Sequence, residues 1–269
     1  MTARKYYLAD LTGDEAREAL AGNPVILLPL GSHEDQGPHA PMGDYLCADR
    51  MALRIAERAT AQGTPTYIAP VLPFGGADYF GSMKGGIALG QATLRAVLRD
   101  MFDCLLRHDL TRLIVLNGHG GNVQAVHEVT QAIRLDRNVT IPSLYLWSIA
   151  YAMLPEIMGD ADTARQSAGH GGNPLTSIAM ALVPELMRPD LIPAPAPTRQ
   201  VLGLPVSGFS TVLFQNAAIH LPLEVDEIAT KGVLKADSRL CSADTGAALV
   251  ERLTTLTVGL IDHLATQGW

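Results

Sequence analysis

Residues 31–44 read GSHEDQGPHAPMGD, and the side chains of His33, Glu34, Asp35, Gln36, His39 and Asp44 can all ligate a cation or carry protons. Carboxylate oxygen and imidazole nitrogen together suit a hard or borderline divalent ion. Glu34 and Asp44 offer the oxygens, and the histidines offer the nitrogens. The plainer alternative is a polar surface loop with helix-capping acids, Asp44 falling where an N-cap would. A second turn, NGHGGN at 117–122, sets His119 among glycines that permit tight turns and close backbone approach. A phosphate cradle would need GxGxxG or GxxxxGK[ST], and neither is present. The alternative there is a simple βα turn with a hydrogen-bonded His119, and Asn117 and Asn122 read as shaping the turn rather than reacting. A third cluster, GHGGN at 169–173, surrounds His170 with glycines. His170 could act as a general acid or base, bind substrate, or be a loop histidine with no role.

Other candidates carry less. His127 sits within a helical pattern, and His108, His220 and His263 read as helix-end or surface groups. Ser32 and Ser82 lack the GxSxG context of a serine nucleophile. Asp78, Tyr79 and Lys84 lie in a glycine-rich stretch where they could face a substrate or simply solvent.

These clusters need elements to position them. Thr12 and Glu15 have capping-box spacing, which predicts a short helix. The apolar run VILLPL at 25–30 predicts a strand buried on both faces, with the liganding loop directly after it. A helix is expected over 45–61, a strand over 67–71, a long functional loop over 74–90 and a helix over 91–108. The run LIVL at 113–116 predicts a third strand that feeds into NGHGGN, followed by a helix over 123–134 and a strand over 143–147. Beyond that the pattern weakens. A helix is expected over 173–186, opened through Pro174, then a Pro/Ala-rich loop over 192–197 and a final amphipathic helix over 243–263. Alternating strands and helices predict a parallel sheet covered on both faces, with ligands at the carboxyl ends of its strands.

Composition agrees with a well-buried α/β protein: 48% of the 269 residues are hydrophobic and 17% are charged. The formal net charge of −7 and the lack of a basic run argue against nucleic acid or an anionic membrane as partner. Three scattered cysteines, Cys47, Cys104 and Cys241, argue against a disulfide framework or a thiolate metal site. No signal-peptide core and no membrane-length apolar run is visible, so a cytoplasmic setting is expected.

Segments 28–44 (LPLGSHEDQGPHAPMGD), 117–122 (NGHGGN) and 170–177 (HGGNPLTS), in that order, resemble the creatininase family of metal-dependent amidohydrolases. Gly232-Val233, before the last helix, fits the same resemblance, which covers most of the chain. It implies one three-layer α/β/α domain over 1–269, with a mostly parallel sheet. It implies that Glu34, Asp44 and His119 hold a divalent metal, zinc or manganese, and that Glu34 and His170 serve catalysis, His170 by moving a proton.

The chain departs from the family pattern at several positions. Asp44 stands one place early, with Tyr45 where the family's Asp falls. Gln36 replaces a histidine of the family's second metal site, and Leu175 or Gly121 stands where its glutamate would be. One metal per chain is therefore expected, with the second site lost or rebuilt. Gln36, His39, His33 and Asn173 remain as second-site or substrate residues.

The reaction implied is C–N hydrolysis of a small cyclic amide. One relative of the family opens an inosose ketone by C–C hydrolysis, so a cyclic keto-polyol is the alternative substrate. A non-catalytic member that binds a small molecule is a third reading. Family members form homo-oligomers, often hexamers, so the same is expected here.

Overall fold

The computed structural model describes residues 4–229 and 231–269. Helix α1 (Gly13–Leu20) opens on the capping box that its sequence predicts: the Thr12 hydroxyl accepts from the Glu15 N–H, and the Glu15 carboxylate accepts from the Thr12 N–H. Strand β1 (Val25–Leu30) is buried at every residue. The chain continues through α2 (Tyr45–Ala61), β2 (Thr66–Ile68), α3 (Gln91–Leu106), β3 (Leu113–Asn117), α4 (Val123–Arg137) and β4 (Ser143–Tyr145). These strands pair in parallel, in the order β2-β1-β3-β4. Along β1, Val25 and Leu27 pack on the side of α2, while Ile26, Leu28 and Leu30 pack on the side of α3 and α4. The expected three layers follow from that division, since a strand with no polar face must be covered twice.

Strand order reverses between β1 and β3, which opens a crevice at their carboxyl ends. Leu30 is in register with Asn117, so the loops that begin at Gly31 and Gly118 leave the sheet side by side. The Gly118 N–H donates to the Leu30 carbonyl at 2.7 Å and fixes that juxtaposition.

Two expectations are corrected after β3. Leu146 and Trp147 belong to helix α5 (Leu146–Met158) and not to a strand over 143–147. A short apolar run fits a buried strand and a buried helix equally well. The Trp147 indole N–H donates to the Gly118 carbonyl, a tertiary tie that local patterning does not contain. Helix α6 (Ala161–Ser167) follows, and the helix expected over 173–186 narrows to α7 (Leu175–Leu182) with a 3-10 turn behind it.

The largest addition is a second sheet of antiparallel strands, β5 (Gln200–Val201), β6 (Leu204–Gly208), β7 (Thr211–Phe214) and β8 (Ala217–His220), in sequential order. Gln215 and Asn216, with φ of 50° and 65°, form the two-residue turn of the last hairpin. Val206 and Val212 from this sheet pack with Phe80 and with the short helix α8 (Val225–Ile228). Helix α9 (Ala243–Gln267) closes the fold against α2, α5 and α7. All three cysteines are free thiols. Among the described residues no helix is long and apolar enough to cross a membrane.

The contact between α9 and α7 depends on a missing side chain. A Cβ at Gly246 would lie 1.8 Å from the Ser177 carbonyl oxygen, whereas one at Gly259 would meet nothing within 4 Å. In urea titrations Gly246→Ala should lose about 1–3 kcal/mol of unfolding free energy. Gly259→Ala, on an exposed turn of the same helix, should gain about 0.5–1 kcal/mol. Equal effects at both positions would contradict this packing.

Candidate metal centre

Glu34, Asp44 and His119 meet at the β1–β3 crevice, each offering a ligand atom within 4.8 Å of the others. They are 6%, 3% and 4% exposed. The Nδ1 of His119 lies 3.1 Å from Asp44 Oδ2 and 3.3 Å from Glu34 Oε1. Its Nε2 lies 3.0 Å from the Gly76 carbonyl oxygen. A carbonyl only accepts, so Nε2 carries a hydrogen and the other ring nitrogen is the one presented to the carboxylates. That arrangement orients a metal-binding imidazole in many centres.

Asp44 stands at the N-cap position of α2, yet its side chain caps nothing. Its Oδ1 accepts from the Ser32 N–H at 2.6 Å and its Oδ2 faces His119. Tyr45 points elsewhere, its ring packed near His33 with centroids 6.1 Å apart. The carboxylate facing the centre is therefore that of Asp44, although it is one position early.

The NGHGGN turn is built by its asparagines. The Asn117 amide brackets the His119 backbone, with Oδ1 accepting from the N–H and Nδ2 donating to the carbonyl. Asn122 joins three loops: Oδ1 accepts from the Gly76 N–H at 2.8 Å, and Nδ2 donates to the Gly31 carbonyl at 3.1 Å. A Cβ at Gly121 would lie 2.2 Å from the Gly76 carbonyl oxygen. No side chain, glutamate included, fits at 121 on this backbone.

Burial and mutual attraction shift the protonation of all three groups. Burial pushes the Asp44 carboxyl up to about 7 against the pull of His119. Burial also opposes the Glu34 charge, but the imidazolium beside it outweighs burial and holds Glu34 below its ordinary value. Burial would depress His119, and the two carboxylates overcome that and raise it well above its ordinary value. Two carboxylates and one imidazole around a common point fit a borderline divalent ion, zinc or manganese among them.

The centre opens into a cavity of about 470 Å³. Six aromatic side chains line it: Tyr79, Phe80, Tyr145, Trp147, Tyr151 and Phe209. Among the described residues, none of the side chains lining it is Lys or Arg. His170 lies in the wall, tilted against Phe80 with ring centroids 4.6 Å apart and edge-on to Phe209 at 5.1 Å. Its Nε2 donates to the Asp35 carbonyl at 2.6 Å, and burial holds its pKa below the ordinary value. Neutral His170 therefore keeps Nδ1 as its proton-accepting atom.

Gln36 and Asn173 also line the cavity, but Asn173 is engaged by Ser167 and Ser177 and has the role of a strut. His39 and His33 do not reach the cavity. His39 is fully buried with Nε2 3.4 Å from Thr176 Oγ1, and His33 pairs through its backbone with Ile87. Neither rebuilds a second metal site. The aromatic wall escapes sequence inspection except at Tyr79, because Tyr145, Trp147, Tyr151 and Phe209 come from α5, its preceding strand and the second sheet.

The family model described as creatinine amidohydrolase matches residues 9–261. The creatinine amidohydrolase of Pseudomonas putida is 29% identical over 209 residues, covering 71% of this chain and 76% of the relative. The mycofactocin precursor peptide peptidase of Mycobacterium ulcerans (strain Agy99) is 28% identical over 176 residues, covering 64% of this chain and 63% of the relative. The chain thus aligns with less than two thirds of that peptidase's length. A solved creatinine amidohydrolase superposes with a TM-score of 0.73 over 97% of this chain and 98% of its own, at 21% identity, which is a likeness of fold. Manganese and zinc–zinc forms of creatininase superpose with TM-scores of 0.72 and 0.71, at 21% and 22% identity, again over 97% of this chain and 98% of theirs. With the motifs, the fold and a match across almost its whole length, the chain belongs to the creatininase family.

Proposed function

We propose that the protein is a metal-dependent hydrolase of a small, uncharged amide, a cyclic amide in the first instance. The observation that carries this is His119 Nδ1 set between Glu34 and Asp44 in the wall of an aromatic cavity, with His170 in the same wall. Glu34, Asp44 and His119 would hold the ion, zinc or manganese. When bound, such an ion polarises a carbonyl and acidifies a water. His170 accepts a proton at Nδ1 and returns it to the leaving nitrogen; the water oxygen joins the carbonyl carbon as the C–N bond breaks. The Asp35 carbonyl keeps the His170 ring oriented, and Phe80 and Phe209 keep it out of water.

The cavity walls bear on substrate class. Among the described residues no Lys or Arg side chain lines the cavity to meet a phosphate or carboxylate, which favours an uncharged substrate. A cyclic keto-polyol opened by C–C hydrolysis is the second reading, since the hydroxyls of Tyr79, Tyr145, Ser148 and Tyr151 and the amide of Gln36 in the same wall suit a polyol. Turnover of cyclic amides, short peptide amides and cyclic keto-polyols side by side separates these; turnover of the polyols alone would reverse the order. Activity on none of them, with metal bound, would favour a small-molecule-binding role. We take the protein to be a homo-oligomer on the family resemblance, which sedimentation of the purified chain would test.

Three further outcomes are expected. His119→Ala should bring metal content, read by plasma emission spectrometry, to background; content equal to wild type would refute the triad. Metal binding must displace the proton on His119, so affinity should rise about tenfold per pH unit below the raised His119 pKa. The slope should steepen below pH of about 7, where Asp44 also carries a proton. Competition titrations between pH 6 and 8 read this, and a pH-independent affinity would contradict it. His170→Gln should lower kcat by about 10²–10⁴ while leaving metal content unchanged.

A further inference from the structure

We infer that Gln36 is a positioning residue that stands in for a second cation, so that the centre is built for one ion. This rests on the triad being a metal centre. Gln36 is 4% exposed and lines the cavity. Its Nε2 donates at 3.0 Å to Glu34 Oε1, the same oxygen that faces His119 Nδ1 at 3.3 Å. Asp44 is treated likewise, with Oδ1 held at 2.6 Å by the Ser32 N–H. Each carboxylate thus has one neutral N–H donor steering it and directs an oxygen at His119. A buried carboxylate needs its lone pairs met. An amide meets them without adding charge, whereas a second divalent ion would need donors of its own.

Those donors are missing. Among the described residues, Glu34, Asp44 and His119 are the only three His, Cys, Asp or Glu side chains placed to share an ion. Leu175 fills the wall near Gln36, and position 121 admits no side chain. His39 points at Thr176. A zinc–zinc form of a glutamate-to-glutamine mutant creatininase shares this fold, so the fold itself allows two ions; the described residues of this chain supply one set of three donors.

The test reads zinc binding rather than turnover. Full-length protein is stripped with a chelator and titrated with Zn²⁺ alone against a competing chelator, and the bound metal is counted. Wild type should hold one zinc per chain. Gln36→Met keeps the size but removes the donor, and should bind that zinc about 10–100-fold more weakly. Gln36→His keeps an N–H beside Glu34 and should stay close to wild-type affinity. Two zinc ions per wild-type chain with comparable affinity would overturn the inference, as would undiminished affinity in Gln36→Met. No zinc in wild type would overturn the metal centre itself, a separate failure. The wild-type count requires no variant to fold.

Discussion

Two carboxylates lie almost wholly out of water against a single imidazole, and much of the molecule is arranged so that this is tolerable. Glu34 and Asp44 cannot both hold charge there unless a cation lies between them. An imidazolium at His119 is one such cation, and the two carboxylates hold the His119 pKa well above its ordinary value. The sheet register that ends β1 level with β3 brings the two loops together. The Asn122 amide then ties Gly31 to Gly76, and the Gly76 carbonyl aims the His119 ring. Loss of any of these ties would leave buried charge without a partner, a far larger penalty than the loss of a surface contact.

The second sheet matters to the chemistry, not only to the fold. Its β6–β7 turn carries Phe209 to the edge of His170, and the loop at 74–90 brings Phe80 to its face. Both aromatic rings pack on His170, the group proposed to move the proton, and among the described residues no hydrogen bond engages its Nδ1. A hydrolase must admit one water and exclude the rest, and aromatic walls around a polar centre suit that task.

The candidate site was largely readable from the sequence because its groups are local: Glu34 and Asp44 share one loop, and His119 lies two residues past the end of a buried strand whose first four residues are apolar. Which of Asp44 and Tyr45 faces the centre was not readable, since both fall at a helix start and the tie to Ser32 is tertiary. Central strands β1 and β3 were plain from their double-sided burial. The β5–β8 sheet was not, because strands of two to five residues, one with Pro205 inside it, show almost no alternation. The helical state of Leu146 and Trp147 depends on packing and on the bond to Gly118, and no window of sequence holds that information.

A single ion held by one imidazole and two carboxylates would leave a defined signature in zinc K-edge X-ray absorption of the zinc-loaded protein. Nitrogen and oxygen scatterers are expected at about 2.0–2.2 Å, with multiple scattering from one imidazole. No zinc–zinc vector is expected at about 3.5–4 Å. A metal–metal vector, or a first shell with two imidazoles or with sulfur, would contradict that single-ion centre.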